Sequence, residues 1–202
     1  MAASGVRHHR SWYRHRAVLV AGGLAAVVAI AVLTDLPTHA SRSVEIAGDK
    51  SVISQVNADV GPCSFALGES LTVYGDLTAR TLSAADAARI PGLLHDDQTA
   101  CSFVDDSIYQ LSTIEVPGST AGNDLGQLVN SVTLWATSDA LSAIEQIQIL
   151  YSHPSDASAR GRLAQDEQML RRDRGLAQAE LDAADKALGT RLPALHLAQA
   201  PG

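Results

Sequence analysis

Residues 124–151, DLGQLVNSVTLWATSDALSAIEQIQILY, carry the most regular hydrophobic pattern of the chain. Apolar residues recur there every three or four positions, and this spacing puts them on one face of a helix. They are Leu125, Leu128, Val129, Val132, Trp135, Leu141, Ile144, Ile147, Leu150 and Tyr151. The polar pair Ser138-Asp139 interrupts this apolar face near its middle. The stretch therefore predicts either one helix of about 27 residues or two helices with a kink at Thr137-Ser138.

A second long helix is predicted over 156–188, after a turn at 153–156 that contains Pro154. Its apolar residues follow a coiled-coil-like spacing, at Leu170, Ala177, Leu181, Ala184 and Leu188. The charged cluster 171–174 is interpreted as a solvated face, with a basic docking patch as the alternative. Gly189 is expected to cap the helix, and 191–202 to form a flexible tail. The two segments together predict a helical hairpin over about 124–188.

Shorter helices are predicted upstream of the hairpin. One covers 49–60 and is broken by Gly61-Pro62, and a second begins at Pro62. A third begins at Ser83, is capped together with Asp86, and is interrupted at Pro91-Gly92. A fourth carries an apolar stripe at Cys101, Val104, Ile108 and Leu111 and ends at 116–118. Strand patterns are scarce, so the fold class predicted for residues 49–190 is an all-α helical bundle.

Cys63 and Cys101 are the two cysteines of the chain. An even number of cysteines in an exported domain indicates a disulfide. Two free buried thiols and a metal-binding pair are the alternatives, and the pair lacks nearby histidines that would complete a zinc site. We therefore expect a disulfide that joins the two cysteines within the N-terminal half of the bundle.

Residues 17–33 (AVLVAGGLAAVVAIAVL) form an uncharged apolar run of the length of a short transmembrane helix. The head, 1–16, carries four arginines and no acid, so the positive-inside rule places it in the cytoplasm. Residues 34–48 are predicted to be a linker. A single-pass membrane protein with an extracytoplasmic C-terminal domain follows, and secretion after cleavage near Ala40 is the alternative.

The charge of the chain is divided unevenly. Four of its fifteen basic residues lie in the head, which leaves eleven basic against twenty-two acidic residues, a net charge of −11, in the remainder. Phosphate binding requires clustered lysine and arginine, so an acidic body of this kind argues against a nucleic-acid partner.

The sequence contains no motif specific to a known catalytic chemistry. Phosphate-binding loops, the G-x-S-x-G elbow, H-E-x-x-H, C-x-x-C and S-x-x-K are all absent from it. We therefore predict a protein that is not an enzyme and has no cofactor. The best candidate for a metal site is a cluster of histidine and aspartate residues, whose imidazole nitrogen and carboxylate oxygens could bind a divalent cation. This group consists of His95, Asp96, Asp97, Asp105 and Asp106. The alternative is an acidic turn between helices that stays in water.

These observations predict a membrane-anchored interaction or envelope structural module. Its partner would be another protein or a second copy, bound through the C-terminal helices. The rival hypothesis is a sensor-like bundle that binds a metal at the acidic group or a ligand in a cavity beside Trp135. His153 and His196, in turns beside prolines, are expected to be exposed.

Overall fold

The computed structural model describes residues 42–104, 107 and 119–199. Over these residues the fold is a helical bundle without strands, as the sequence predicts. Its helices are α1 (Arg42–Ala79), α2 (Ala84–Ala87), α3 (Ile90–Ser102), α4 (Thr120–Leu134), α5 (Leu141–Ser152) and α6 (Ala157–Leu188), with a π-helical segment (Trp135–Ala140) between α4 and α5. None of the helices in the described part is long and apolar enough to cross a membrane. The predicted head and anchor lie outside the described residues.

Helix α1 is longer than the sequence predicts. It passes through Gly61-Pro62 without a break, so the predicted division into two helices is wrong. Pro62 cannot donate the bond to the Ala58 carbonyl, but Ala58 faces solvent, where water can satisfy that oxygen. Buried residues on both sides of the proline, including the disulfide-bonded Cys63, hold the helix in one piece.

The start of α1 lies inside the predicted linker 34–48, so the linker prediction is wrong for residues 42–48. Arg42 explains the early start because its Nη2 donates to the Leu188 carbonyl at 2.6 Å. The guanidinium thereby satisfies a free carbonyl at the C-terminal, negative end of α6. This contact joins the first turn of α1 to the last turn of the longest C-terminal helix.

Helix α2 has the predicted cap, but the predicted break at Pro91-Gly92 is absent. Ser83 Oγ accepts from the Asp86 backbone N–H at 3.1 Å, which confirms the cap. Pro91-Gly92 does not interrupt a helix, because Pro91 lies in the first turn of α3, where a missing N–H does no harm. Helix α3 ends at Ser102, and most of the predicted fourth helix, including Ile108 and Leu111, falls outside the described residues.

The stretch 124–151 is continuous and helical, without a break at Thr137-Ser138. The π-helical segment occupies the position where the sequence allowed a kink. Asp139 is only 6% exposed there. The interpretation of Ser138-Asp139 as a polar interruption of the apolar face is therefore wrong for Asp139. The π-turn leaves Trp135, Ala136, Asp139 and Ala140 all facing the core.

Helix α6 completes the hairpin largely as predicted. Asp156 caps its N-terminus, and its predicted apolar seam is buried. Gly189 closes the C-terminus with a left-handed φ of 63°, which favours glycine. The predicted flexible tail is wrong for residues 192–199, because Leu192 and Leu197 are buried against the bundle. Asn57 also donates to the Ala194 carbonyl at 2.7 Å and accepts from the His196 N–H at 2.9 Å.

The helices pack in two groups around a shared centre. Helix α6 packs mainly on α4, with α5 and the π-helical segment beside it, while α1 packs mainly on α3. Helix α5 contacts α1, α3 and α6 and so joins the two groups. The predicted disulfide is present between Cys63 of α1 and Cys101 of α3, whose Cα atoms are 4.4 Å apart. It lies in the core, with both cysteines fully buried and Cys63 Sγ 3.9 Å from the Ala136 carbonyl oxygen.

Candidate functional site

The outward side of α1 carries a stripe that no part of the described chain covers. We call it the outward stripe, and its eleven positions alternate in steps of three and four along the whole helix. It consists of Val44, Ala47, Ser51, Ser54, Ala58, Gly61, Phe65, Gly68, Thr72, Gly75 and Ala79. No member is charged, and all are exposed apart from the half-buried Gly61 and Gly68. This spacing is the one that seats a helix against another helix.

Two of the five large apolar side chains that the structure exposes belong to this stripe. Phe65, at its centre, is 68% exposed, and Val44, near its start, is 50% exposed. The opposite side of α1 buries Ile53, Val60 and Leu67 in the core. The helix therefore has two faces suited to packing, and the chain itself occupies one of them.

Two of the three polar members of the stripe, Ser54 and Thr72, already have a hydrogen-bond partner within α1. Ser54 Oγ donates to the Lys50 carbonyl and Thr72 Oγ1 to the Gly68 carbonyl, both at 2.9 Å. Hydroxyls bonded to the preceding turn of their own helix need no water or partner. A second surface could therefore cover Ser54 and Thr72 without leaving an unpaired donor.

Three stripe glycines, Gly61, Gly68 and Gly75, recur every seven residues. A Cβ built at each would meet no atom within 4 Å, so packing within the described chain does not require glycine there. Glycine inside a helix costs about 1 kcal/mol relative to alanine. The three glycines leave the helix backbone open to close approach from outside.

The disulfide lies beneath part of this surface. Phe65 and Phe103, the only phenylalanines of the chain, each follow a bonded cysteine by two residues and are 68% and 65% exposed. Phe103 lies just beyond the end of α3 and is not part of the stripe. The sequence pattern does not predict the exposure of either residue. The cross-link fixes the backbone near both side chains.

A pair of buried carboxyl groups lies elsewhere, between the π-helical segment and α6. Asp139 is 6% exposed and Asp173, from the cluster 171–174, is 5% exposed. The interpretation of that cluster as a solvated face is therefore wrong for Asp173. Two carboxyl groups can share a hydrogen bond only when one is protonated, and without a proton Asp139 Oδ2 has no donor in the described structure.

The environment of Asp139 favours its neutral form. Burial, followed by the hydrogen bond and negative charge of Asp173 and the charge of Asp166, raises the pKa of Asp139 to about 7, while Ser138 opposes the shift. Asp166 is held on the same side of α6 by Ser142, whose Oγ donates to it at 2.9 Å. Arg172 approaches the pair only from its outer edge, with Nε 3.9 Å from Asp173 Oδ1 and a largely exposed side chain. The bundle therefore contains a proton-binding pair.

The three residues of the predicted metal site that the structure describes, His95, Asp96 and Asp97, do not face a common point. Asp97 points inward and its Oδ2 accepts from Ser70 Oγ at 2.7 Å, whereas His95 and Asp96 are exposed on α3. Burial raises the pKa of Asp97 to about 6, against the lowering effect of Ser70. Asp105 and Asp106 fall outside the described residues. Within the described ranges, no three His, Cys, Asp or Glu side chains could hold a metal ion.

The structure forms a groove between α3 and α5, but Trp135, beside which a ligand cavity was predicted, does not line it. Trp135 is fully buried in the core. The groove is open and is lined by Gln98, Glu145, Gln148, Ile149, Ser152 and His153. His153 and His196 are exposed, as predicted.

Sequence reasoning missed both the outward stripe and the carboxyl pair, although each leaves a signal. The stripe is an unbroken alternation of three- and four-residue steps. A predicted helix break at Pro62 hides it, because the pattern then falls into two short segments. Asp173 lies three residues after Leu170 and four before Ala177, a seam position by spacing alone. A charged residue on a buried seam position is the pattern to look for.

Comparison with protein-family models, with curated proteins and with solved structures finds no match for this chain.

Proposed function

We propose that this protein is a non-enzymatic interaction module, tethered outside the membrane by residues 17–33, and that its binding face is the outward stripe of α1. One observation carries the proposal: an uncharged face runs the length of α1 with Phe65, 68% exposed, at its centre. Covering a large apolar side chain is favourable, and aromatic residues are enriched at the centres of protein interfaces. The satisfied hydroxyls and open glycines suit this face to another helix.

The C-terminal helices are less suited to this role than the sequence suggested. The seam of α6, from Leu170 to Leu188, is buried within the chain and is not free for a partner. Leu176 is the one large apolar side chain of α6 among those that the structure exposes. We therefore locate the partner surface on α1.

The Cys63–Cys101 disulfide supports the extracytoplasmic location, because disulfides persist in oxidising compartments and are rare in the cytosol. Fractionation of the native protein with N-terminal sequencing tests the tether. We expect the intact N-terminus in the membrane fraction and cysteines that resist alkylation until they are reduced. Full-length protein in the cytosol with both thiols reactive would refute the location.

The binding face is tested with a photo-crosslinking amino acid at position 65 in the native membrane. We expect an adduct of higher mass that is absent when the same amino acid replaces Leu176. Leu176 is the matched control, because it is also exposed (44%) and apolar but lies on α6. Equal labelling from the two positions, or no adduct from position 65, would refute the proposal.

A further inference from the structure

We infer that the occupant of the outward stripe is a second copy of this chain, with the two α1 helices antiparallel. The inference deepens the proposed function and depends on it, since it names the partner of the same face. Three observations carry it: the shapes that the stripe brings together, the charges beside it, and the area it covers.

The shapes match in one antiparallel register, which sets Phe65 of one copy opposite Gly61 of the other. The largest side chain of the stripe then meets a position with no side chain, where an added Cβ has no neighbour within 4 Å. The same register sets Ala58 opposite Gly68 and Ser54 opposite Thr72. Small residues that face one another let helices approach closely, and large residues opposite small ones fill the space between them.

The charges favour the same arrangement. In this register Lys50 of each copy faces Asp76 of the other, and both side chains are exposed at the edge of the stripe. A parallel, in-register pair would instead bring Lys50 against Lys50, Asp76 against Asp76 and Phe65 against Phe65. The chain beyond the head has a net charge of −11, so two copies can approach closely only through a face without acidic residues.

The area is sufficient for a specific dimer. In this register the two stripes overlap from Ala47 to Ala79, over about 48 Å at 1.5 Å per residue, and a helix presents a strip about 10 Å wide. The contact then covers roughly 500 Å² on each copy, or about 1,000 Å² in total, which reaches the threshold for a biological interface.

Cysteine cross-linking of the full-length protein in its membrane tests the register. Ser54→Cys and Thr72→Cys variants carrying different tags are co-expressed and oxidised. We expect a disulfide-linked dimer from the mixed pair and little from either variant alone, because each of these positions faces the other in the antiparallel register. A Ser155→Cys variant, exposed in the turn before α6, is the control for random collision.

Charge substitution tests the affinity. Phe65→Lys should weaken dimerisation of the full-length protein in detergent at least tenfold, as measured by sedimentation. Phe103→Lys is the matched control, since Phe103 is equally exposed but lies off the stripe, and it should leave the dimer unchanged. Circular dichroism checks that both variants remain folded, which we expect because both positions are exposed.

The outcomes separate this inference from the proposed function. A cross-link between the Ser54→Cys and Thr72→Cys variants, together with a dimer that depends on Phe65 and not on Phe103, supports the inference. Cross-linking of Ser54→Cys with itself would overturn it in favour of a parallel pair. A monomer without cross-links would also overturn it, and in that case an adduct from position 65 with a different protein would leave the proposed function standing.

Discussion

Replacing Asp139 by asparagine should remove the largest single contribution to the pH dependence of stability. Asp139 has a pKa of about 7 in the folded protein, against 3.8 for the unperturbed group. Because the folded pKa is raised, the folded state binds the proton more tightly. This stabilisation is fully present below pH 3.8, declines as pH rises, and is lost above pH 7. Between about pH 5 and pH 8 the group should account for a loss of about 3 kcal/mol.

Asp97 contributes in the same direction. With a folded pKa of about 6, it should account for a further loss of about 1 kcal/mol over the same range. The two groups together should lower the unfolding free energy of the wild-type protein by about 4 kcal/mol between about pH 5 and pH 8, and in the Asp139→Asn variant only the contribution of Asp97, about 1 kcal/mol, should remain of this loss. Asparagine has nearly the same shape and can donate a hydrogen bond to Asp173 at any pH.

Urea unfolding of the full-length protein in a neutral detergent, followed by circular dichroism at four pH values, measures this difference. Asp182→Asn is the control, because Asp182 is exposed on α6 and its replacement removes the same formal charge. It reports the general effect of net charge on an acidic protein. A wild-type stability that is flat between pH 5 and pH 8 would refute the reasoning. So would an Asp139→Asn variant whose pH dependence equals that of Asp182→Asn.

Three further predictions concern the contacts that hold the bundle together. Replacing both Cys63 and Cys101 by serine should lower the unfolding free energy by about 4 kcal/mol, because the disulfide closes a loop over a sequence separation of 38 residues. An equal urea midpoint for wild type and variant would contradict this. Ser70→Ala should lower the unfolding free energy by about 1–3 kcal/mol, because Asp97 loses its buried hydrogen-bond donor. The loss should be larger at pH 8, where Asp97 is ionised, than at pH 5, and a loss independent of pH would argue against this. Gly189→Ala should lower the free energy by about 1–2 kcal/mol, since its φ of 63° is strained for alanine; Gly175→Ala, at a helical position with open space around it, should be neutral or stabilising.

The sequence by itself determined the features that depend on neighbouring residues. Helical periodicity identified the two long segments of the hairpin, and local chemistry identified the caps at Ser83 and Gly189. The cysteine count and the exported context indicated the Cys63–Cys101 disulfide. These predictions succeeded because the forces involved act over one or two helical turns, or depend on composition alone.

Tertiary structure decided where local rules disagree with packing. Pro62 should end a helix, but buried contacts on both sides and the adjacent disulfide outweigh the lost hydrogen bond. Asp139 resembles a surface residue in its local sequence, yet the packing of α6 on the π-helical segment leaves it only 6% exposed. The C-terminal residues were predicted to be flexible, but Asn57, far away along the chain, bonds their backbone. In each case the deciding partner is distant in sequence, and a local pattern carries no record of it.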